Sequence, residues 1–359
     1  MLYSPAAHER LTDTPWDAAK ARDAIAAIVD DAEQAFADGW LVHPLDADEF
    51  TPAKPRTLYL GGAGVVAALS RLGSERDWVA YLQGALAEPD FPDDDSERSL
   101  WMGEVGIRLV LQRLGPSAEN LERLAQLIAA NATDERCELM WGSPGTILAG
   151  RELGLDVTPS IEWLDDRRDE DGLWTQDLYG RVAQLLGPAH GFAGCVYALG
   201  EVGEVTETLE RQAVREDGLV NWPAEQGAAL DAGRDGVIRT QWCHGAPGIV
   251  ATLAPLLDEE LAVAAGELTW RAGPVRKGAG LCHGTAGNGY AFLALLDRTG
   301  DELWLERSRA LAMHGIEQVE RAREEYGRGR YSLWTGDVGT ALYLADCVDG
   351  KGKLPLPSC

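Results

Sequence analysis

Basic charge is scarce in this chain, and lysine is the scarcest carrier of it. Lys20, Lys54, Lys277, Lys351 and Lys353 are the only lysines, and 32 basic residues in all face 58 acidic ones, a net charge of −26 over 359 residues. A field of that sign repels phosphate backbones and anionic lipid heads, so nucleic acid and membrane surfaces are not expected partners. Long apolar runs are also missing: nothing approaches the ~18 uninterrupted apolar residues of a membrane span. The opening MLYSPAAHERLTDTPWD has no charged-then-apolar-then-small order, so no export signal is expected and the cytoplasm is the expected location. Cysteine is sparse. Cys137, Cys195, Cys243, Cys282, Cys347 and Cys359 are too far apart for a disulfide scaffold, and reduced thiols are expected.

What the chain does have is enough apolar residues, 45%, to bury a sizeable core, and a repeated phrase. Gly-x-x-Gly followed by an apolar helical run is written seven times: GGAGVVAALSRL from 61, GEVGIRLVLQRL from 103, GSPGTILAGREL from 142, GFAGCVYALG from 191, GAPGIVATLAPLL from 245, GTAGNGYAFLALL from 284 and GDVGTALYLADC from 336. The first glycines recur every 39 to 54 residues, room for two helices and two connections. A more polar, amphipathic stretch precedes each phrase: 17–38, 74–88, 117–130, 158–170, 204–214, 258–272 and 301–325. Several open on Ser, Thr or Asp with Glu close behind, as helix starts prefer. Strand signals are few. The pattern predicts an all-α fold of seven helix pairs, one helix of each buried and one with a polar face.

Such pairs stack as an open solenoid or close into a double ring. No repeat at either end has the polar outer face of a cap, which favours closure: a single domain over 1–359, an α/α toroid with an inner and an outer helical ring. Glycines at the inner helix starts then let backbones approach closely, and they leave N-terminal N–H groups open to a ligand. All seven phrases should meet at one rim.

At that rim the sequence places a cysteine–histidine pair twice, in WCHGAPG (242–248) and LCHGTAG (281–287). Thiolate and imidazole are zinc ligands, and three protein ligands with one open position form the catalytic arrangement. Cys243, Cys282 and His283 supply such a set. Two other readings stand beside it: a closed Cys2His2 structural site that adds His244, and plain buried thiols at helix starts. His190, in AHGFAG (189–194), holds the equivalent rim position without a cysteine, which suits a proton carrier. Glu138 and Arg239, each four residues before a motif residue of its repeat, should face the same mouth. Trp141, Trp242 and Trp334 adjoin it. His8, His43 and His314 receive no role; Cys137, Cys195 and Cys347 read as core thiols, and Cys359 as a free tail.

These phrases, together with RKGAGLCHGTAGNGYAFL (276–293), ELMWGSPG (138–145) and SLWTGDVGTALYLAD (332–346), resemble the lanthionine synthetase C-like family, most closely its free-standing LanC-like branch. The resemblance covers essentially the whole chain. It implies a double α-toroid with one Zn2+ on Cys243, Cys282 and His283, leaving His244 outside the ligand set. It also implies active-site roles for His190, Arg239 and Glu138. The branch adds glutathione to dehydroalanine or dehydrobutyrine residues; its glutathione-contacting lysine falls on Lys277, and a further arginine falls on Arg328 or Arg330. The function so implied is zinc-dependent addition of glutathione or another small thiol to a dehydroamino-acid-containing peptide or protein. The alternatives are a lanthipeptide cyclase, which takes the thiol from the same peptide, and a non-catalytic zinc- or glutathione-binding protein.

Overall fold

The computed structural model describes residues 1–48, 51–91, 96–200, 202–228 and 239–357; Cys359 lies outside them. In chain order the helices are α1 (Ala18–Gln34), α2 (Gly62–Arg71), α3 (Val79–Ala87), α4 (Glu104–Leu114), α5 (Ala118–Ala130), α6 (Ser143–Leu153), α7 (Thr158–Asp166), α8 (Phe192–Leu199), α9 (Val205–Gln212), α10 (Ala246–Leu253), α11 (Glu259–Ala272), α12 (Thr285–Thr299), α13 (Leu303–Tyr326) and α14 (Asp337–Asp349). Every glycine phrase opens an even-numbered helix. Gly61, Gly103, Gly142, Gly191, Gly245, Gly284 and Gly336 are the N-cap residues, and none offers a side chain to the free N–H groups of the first turn.

Composition sorts the two sets. In α12 every residue from Thr285 to Leu293 is buried, whereas α1 buries only Ala21, Ile28 and Ala32. A helix apolar on all sides needs neighbours on all sides, and a one-faced helix needs a surface to lie on. The even-numbered helices accordingly form an inner ring in which each touches the next and α14 touches α2, while α3, α5, α7, α11, α13 and α1 lie against it from outside.

Closure is written in the second glycine of each phrase. A Cβ built on Gly64 would fall 2.2 Å from the Leu58 carbonyl oxygen and 2.8 Å from the Leu333 Cβ; on Gly106, 2.1 Å from the Leu100 oxygen and 2.7 Å from the Leu58 Cβ. The same pair of neighbours recurs at Gly145, Gly194, Gly248, Gly287 and Gly339. Each time they are the carbonyl six residues earlier and a side chain at the matching place in the preceding repeat: Leu100, Leu139, Pro188, Trp242 and Leu281 in turn. Since Gly64 meets Leu333 of the last repeat, the series runs through all seven units and returns to its start. Only hydrogen fits there, which is the close approach the glycines were expected to allow.

Two features depart from the sequence pattern. The 17–38 helix precedes the first glycine phrase but packs mainly on α14, so the outer ring is completed by joining the two ends of the chain. Two antiparallel hairpins also interrupt the helices: β1 (Gln176–Leu178) with β2 (Arg181–Ala183), and β3 (Val214–Glu216) with β4 (Leu219–Asn221). They follow α7 and α9, and three-residue strands are too short to show a period of two in sequence.

Candidate active site

The residues one and two places before each first glycine form the rim. Two places before stand Tyr59, Trp101, Met140, Ala189, Cys243, Cys282 and Trp334; one place before stand Leu60, Met102, Trp141, His190, His244, His283 and Thr335. Backbone hydrogen bonds tie neighbouring rim loops together. Cys243 N–H donates to the Cys282 carbonyl at 3.0 Å, Cys282 N–H to Trp334 at 2.8 Å, Trp334 N–H to Tyr59 at 3.4 Å and Tyr59 N–H to Trp101 at 3.0 Å. Repeat register thus sets the two cysteines side by side.

The Sγ atoms of Cys243 and Cys282 and a ring nitrogen of His283 lie within 4.8 Å of one another. Zinc–sulfur and zinc–nitrogen bonds of about 2.3 and 2.0 Å separate tetrahedral ligands by roughly 3.5 to 4 Å, so this donor set is close to what one such ion needs. His244 is not among these donors; it is buried, with Nδ1 unpartnered. Burial pushes its pKa down to about 4, which keeps the ring neutral. The two thiols are unequal. The Gln241 amide donates to Cys243 Sγ at 2.9 Å. The neighbouring Cys282 thiol holds Cys243 low against burial, with His283 helping, and the same closeness raises Cys282. A thiolate beside a thiol is what two adjacent cysteines become when one negative charge is all the site tolerates. The Tyr59 hydroxyl is pushed up by burial, with the charge of Cys282 adding to it.

Next to this cluster Glu138 is fully buried and His190 partly so. One Glu138 oxygen lies 2.8 Å from His190 Nδ1. The carboxylate also accepts the N–H groups of Met140 (2.9 Å), Trp141 and Gly142 (3.2 Å), so it caps the start of α6 with its charge against the positive end of the helix. A carboxylate with four donors is an acceptor only, which puts the His190 proton on Nδ1 and leaves Nε2 free for other chemistry. Burial works against charge on His190, but the bond and charge of Glu138, aided by Cys243, raise its pKa above 6.5.

Two cavities meet at the cluster. The first, about 370 Å³, is lined by His190, His244, Arg239, Tyr59, both cysteines, the β1–β2 hairpin and the segment 222–225 that follows β4. The second, about 530 Å³, lies beside Arg276, Arg321, Arg330 and Thr335, and both reach Lys277 and His283. Three of the second cavity's cations are committed. Arg276 donates to the Ala6 and His8 carbonyls at 3.1 and 3.0 Å, Arg321 pairs with Glu9 at 3.0 Å, and Arg330 holds both oxygens of Asp46. Lys277 has no hydrogen-bonded or ionic partner among the described residues. Arg328 lies further out, on the Val42 carbonyl at 2.6 Å.

The sequence reading left several of these residues out. His8 and His314, unassigned there, secure the N-terminal segment: His8 Nδ1 lies 3.0 Å from the Gly273 carbonyl, and His314 Nε2 lies 3.0 Å from Glu9. Tyr59 and Gln241 had no motif to mark them, although Tyr59 holds the repeat position of Cys282. Nor did Tyr179. It sits at the tip of the β1–β2 hairpin, where Trp141 Nε1–H donates to its hydroxyl at 3.1 Å and its ring centre lies 6.1 Å from that of His190. Of the tryptophans expected at the rim, Trp141 is part-exposed, while Trp242 and Trp334 are buried with ring centres 4.4 Å apart.

Comparisons with known proteins bear on the fold and the family. The glutathione S-transferase LANCL1 of Danio rerio is 31% identical over 203 residues, 51% of this chain and 46% of the relative. The LanC-like protein GCL1 of Arabidopsis thaliana is 35% identical over 185 residues, 46% of this chain and 41% of the relative. The matches therefore span about half the length of these curated relatives. The solved structure of nisin cyclase superposes with a TM-score of 0.58 over 91% of this chain and 94% of the other at 16% identity, which is a likeness of fold. The family profile described as "Lanthionine synthetase C-like protein" matches residues 52–359, and the chain belongs to that family.

Proposed function

We propose that this chain is a C–S bond-forming enzyme that adds glutathione or a similar small thiol to dehydroalanine or dehydrobutyrine residues. The observation that carries the reading is the convergence of the Cys243–Cys282–His283 donor set, the Glu138–His190 pair and Lys277 at one mouth. Zinc on that donor set would bind the incoming sulfur as thiolate at neutral pH.

The chain's own residues supply the rest. Lys277, uncommitted and reaching both cavities, holds a carboxylate of the thiol substrate while the sulfur lies toward the first cavity. The sulfur forms its bond to the β-carbon of the alkene. The π pair moves onto the α-carbon and its carbonyl, and Arg239 at the mouth stabilises that developing negative charge. Glu138 fixes the His190 tautomer, and protonated His190 delivers a proton from Nε2 to the α-carbon. The thiol proton leaves to solvent, so the product is a thioether with no net redox change. Arg330 contributes to the wall of the second cavity through Asp46 rather than through a free guanidinium.

A separate small thiol is favoured over a cysteine of the same peptide by the second cavity: a volume of about 530 Å³ beside the donor set, with Lys277 uncommitted at its edge, gives a second molecule a place of its own. The test is incubation of the zinc-loaded protein with glutathione and a dehydroalanine-containing peptide, followed by mass. A glutathione-mass adduct absent from His190→Asn is expected. A peptide with its own cysteine that cyclises while no adduct forms would replace this reading with a cyclase.

A further inference from the structure

The repeats are unequal, and the extra length is not spread evenly. Between Gly142 and Gly191, and between Gly191 and Gly245, the chain inserts the β1–β2 and β3–β4 hairpins; the comparably long interval before Gly336 goes instead into the 24 residues of α13. The two insertions are joined to each other. Leu186 N–H donates to the Ala224 carbonyl at 3.0 Å, Gln226 N–H to Gln184 at 2.9 Å, and Arg181 pairs with Glu225. The β1–β2 hairpin and the segment 222–225 after β4 form one wall of the first cavity, on the side of His190.

The tip of that wall breaks a local rule. Leu178 pairs with Arg181, so Tyr179 and Gly180 are the whole turn, with φ of 57° and 71°. Two positive φ values define the tight hairpin turn in which asparagine followed by glycine is preferred, because a bulky L-residue is strained there. A tyrosine occupies the first place instead, and it is not there to be buried: Tyr179 is 66% exposed, as is Val182. The ring is nevertheless held in one place, by the bond from Trp141 and at 6.1 Å from His190. Strain kept at an exposed, pinned aromatic that borders a reactive cavity points to use of the side chain.

We propose that Tyr179, held by its bond from Trp141, is the specificity-determining lip that receives the polypeptide flanking the dehydroamino acid. This rests on the addition reaction above. The thiol partner is met on the Lys277 side, whereas the lip stands on the proton-donor side. Tyr179 lines the first cavity while staying largely exposed, so it stands at the cavity's outer edge, where the residues on either side of the reacting one would pass. An aromatic face gives such a chain a planar apolar surface without demanding one sequence.

The test compares the zinc-loaded wild type with Tyr179→Asn and Tyr179→Phe, using glutathione and two electrophiles: a capped dehydroalanine amide, and a short peptide with residues on both sides of the dehydroalanine. Tyr179→Asn relieves the turn, so its Tm is expected to equal or exceed that of the wild type. Its kcat/KM ratio for peptide over amide is expected to fall by up to about tenfold, the scale of one aromatic contact, mainly through KM. Tyr179→Phe keeps the ring and should retain most of the ratio. An unchanged ratio in Tyr179→Asn overturns the proposal, as does equal loss on both electrophiles with a lowered Tm, which marks a structural role. A wild type that adds glutathione to neither electrophile overturns the reaction itself, and the lip with it.

Discussion

Glu138 and His190 lie 52 residues apart in sequence and 2.8 Å apart in space, and the carboxylate of one fixes the tautomer of the other while capping α6. The pair therefore couples a helix end to the histidine proposed as proton donor, and changing either residue has two readouts.

In Glu138→Gln the charge that raises His190 is lost. The folded pKa of His190 lies above its unfolded value, so the stabilisation from this pair is complete below the unfolded pKa and disappears as pH rises through the folded one. The variant should lose about 1–3 kcal/mol of stability near pH 6 and less at pH 9, measured by denaturant titration at both. Its turnover should fall by about 10²-fold, with the alkaline limb of the pH–rate profile moved to lower pH.

The donor set predicts metal content without any assay of activity. Elemental analysis should find one zinc per wild-type chain, and Cys243→Ala and Cys282→Ala should each lose it. His244→Ala should keep the metal, because its ring lies outside the cluster of three donors. Loss of zinc there would restore the closed four-ligand reading.

Lys277→Gln should raise KM for glutathione by about 10- to 100-fold, the scale of one charge-assisted hydrogen bond, with metal content unchanged. Arg330→Gln should chiefly lower Tm, since its partner is Asp46. Isothermal titration with glutathione and thermal denaturation separate the two effects.

The inner ring predicts opposite outcomes for two glycines. A Cβ on Gly287 would meet the Leu281 carbonyl at 1.8 Å and the Trp242 Cβ at 3.1 Å, so Gly287→Ala should destabilise by about 1–3 kcal/mol or more. Gly84, exposed within α3 and with nothing within 4 Å, is an ordinary helical position where alanine should stabilise by roughly 0.5–1 kcal/mol. Urea midpoints measure both.

The sequence by itself determined the count of repeats, the helix starts and which side chains stand at the rim, because these are local and periodic. A glycine before an apolar run caps a helix wherever the run packs, and seven recurrences place Cys243, Cys282, His283 and His190 in register. It did not show which outer helix covers which inner one: α1 joins α14 because closure brings the chain ends together, and no local pattern encodes that. Nor did it show that Arg330 is taken by Asp46 while Lys277 is left uncommitted, or that the Tyr59 carbonyl accepts from Trp334 N–H. Those facts depend on contacts between segments far apart in the chain, which only the closed ring brings within hydrogen-bonding distance. The wall of the mouth was hidden for a different reason: its strands are three residues long, too short to show a period, and bonds from Leu186 to Ala224 and from Gln226 to Gln184 join one insertion to the other.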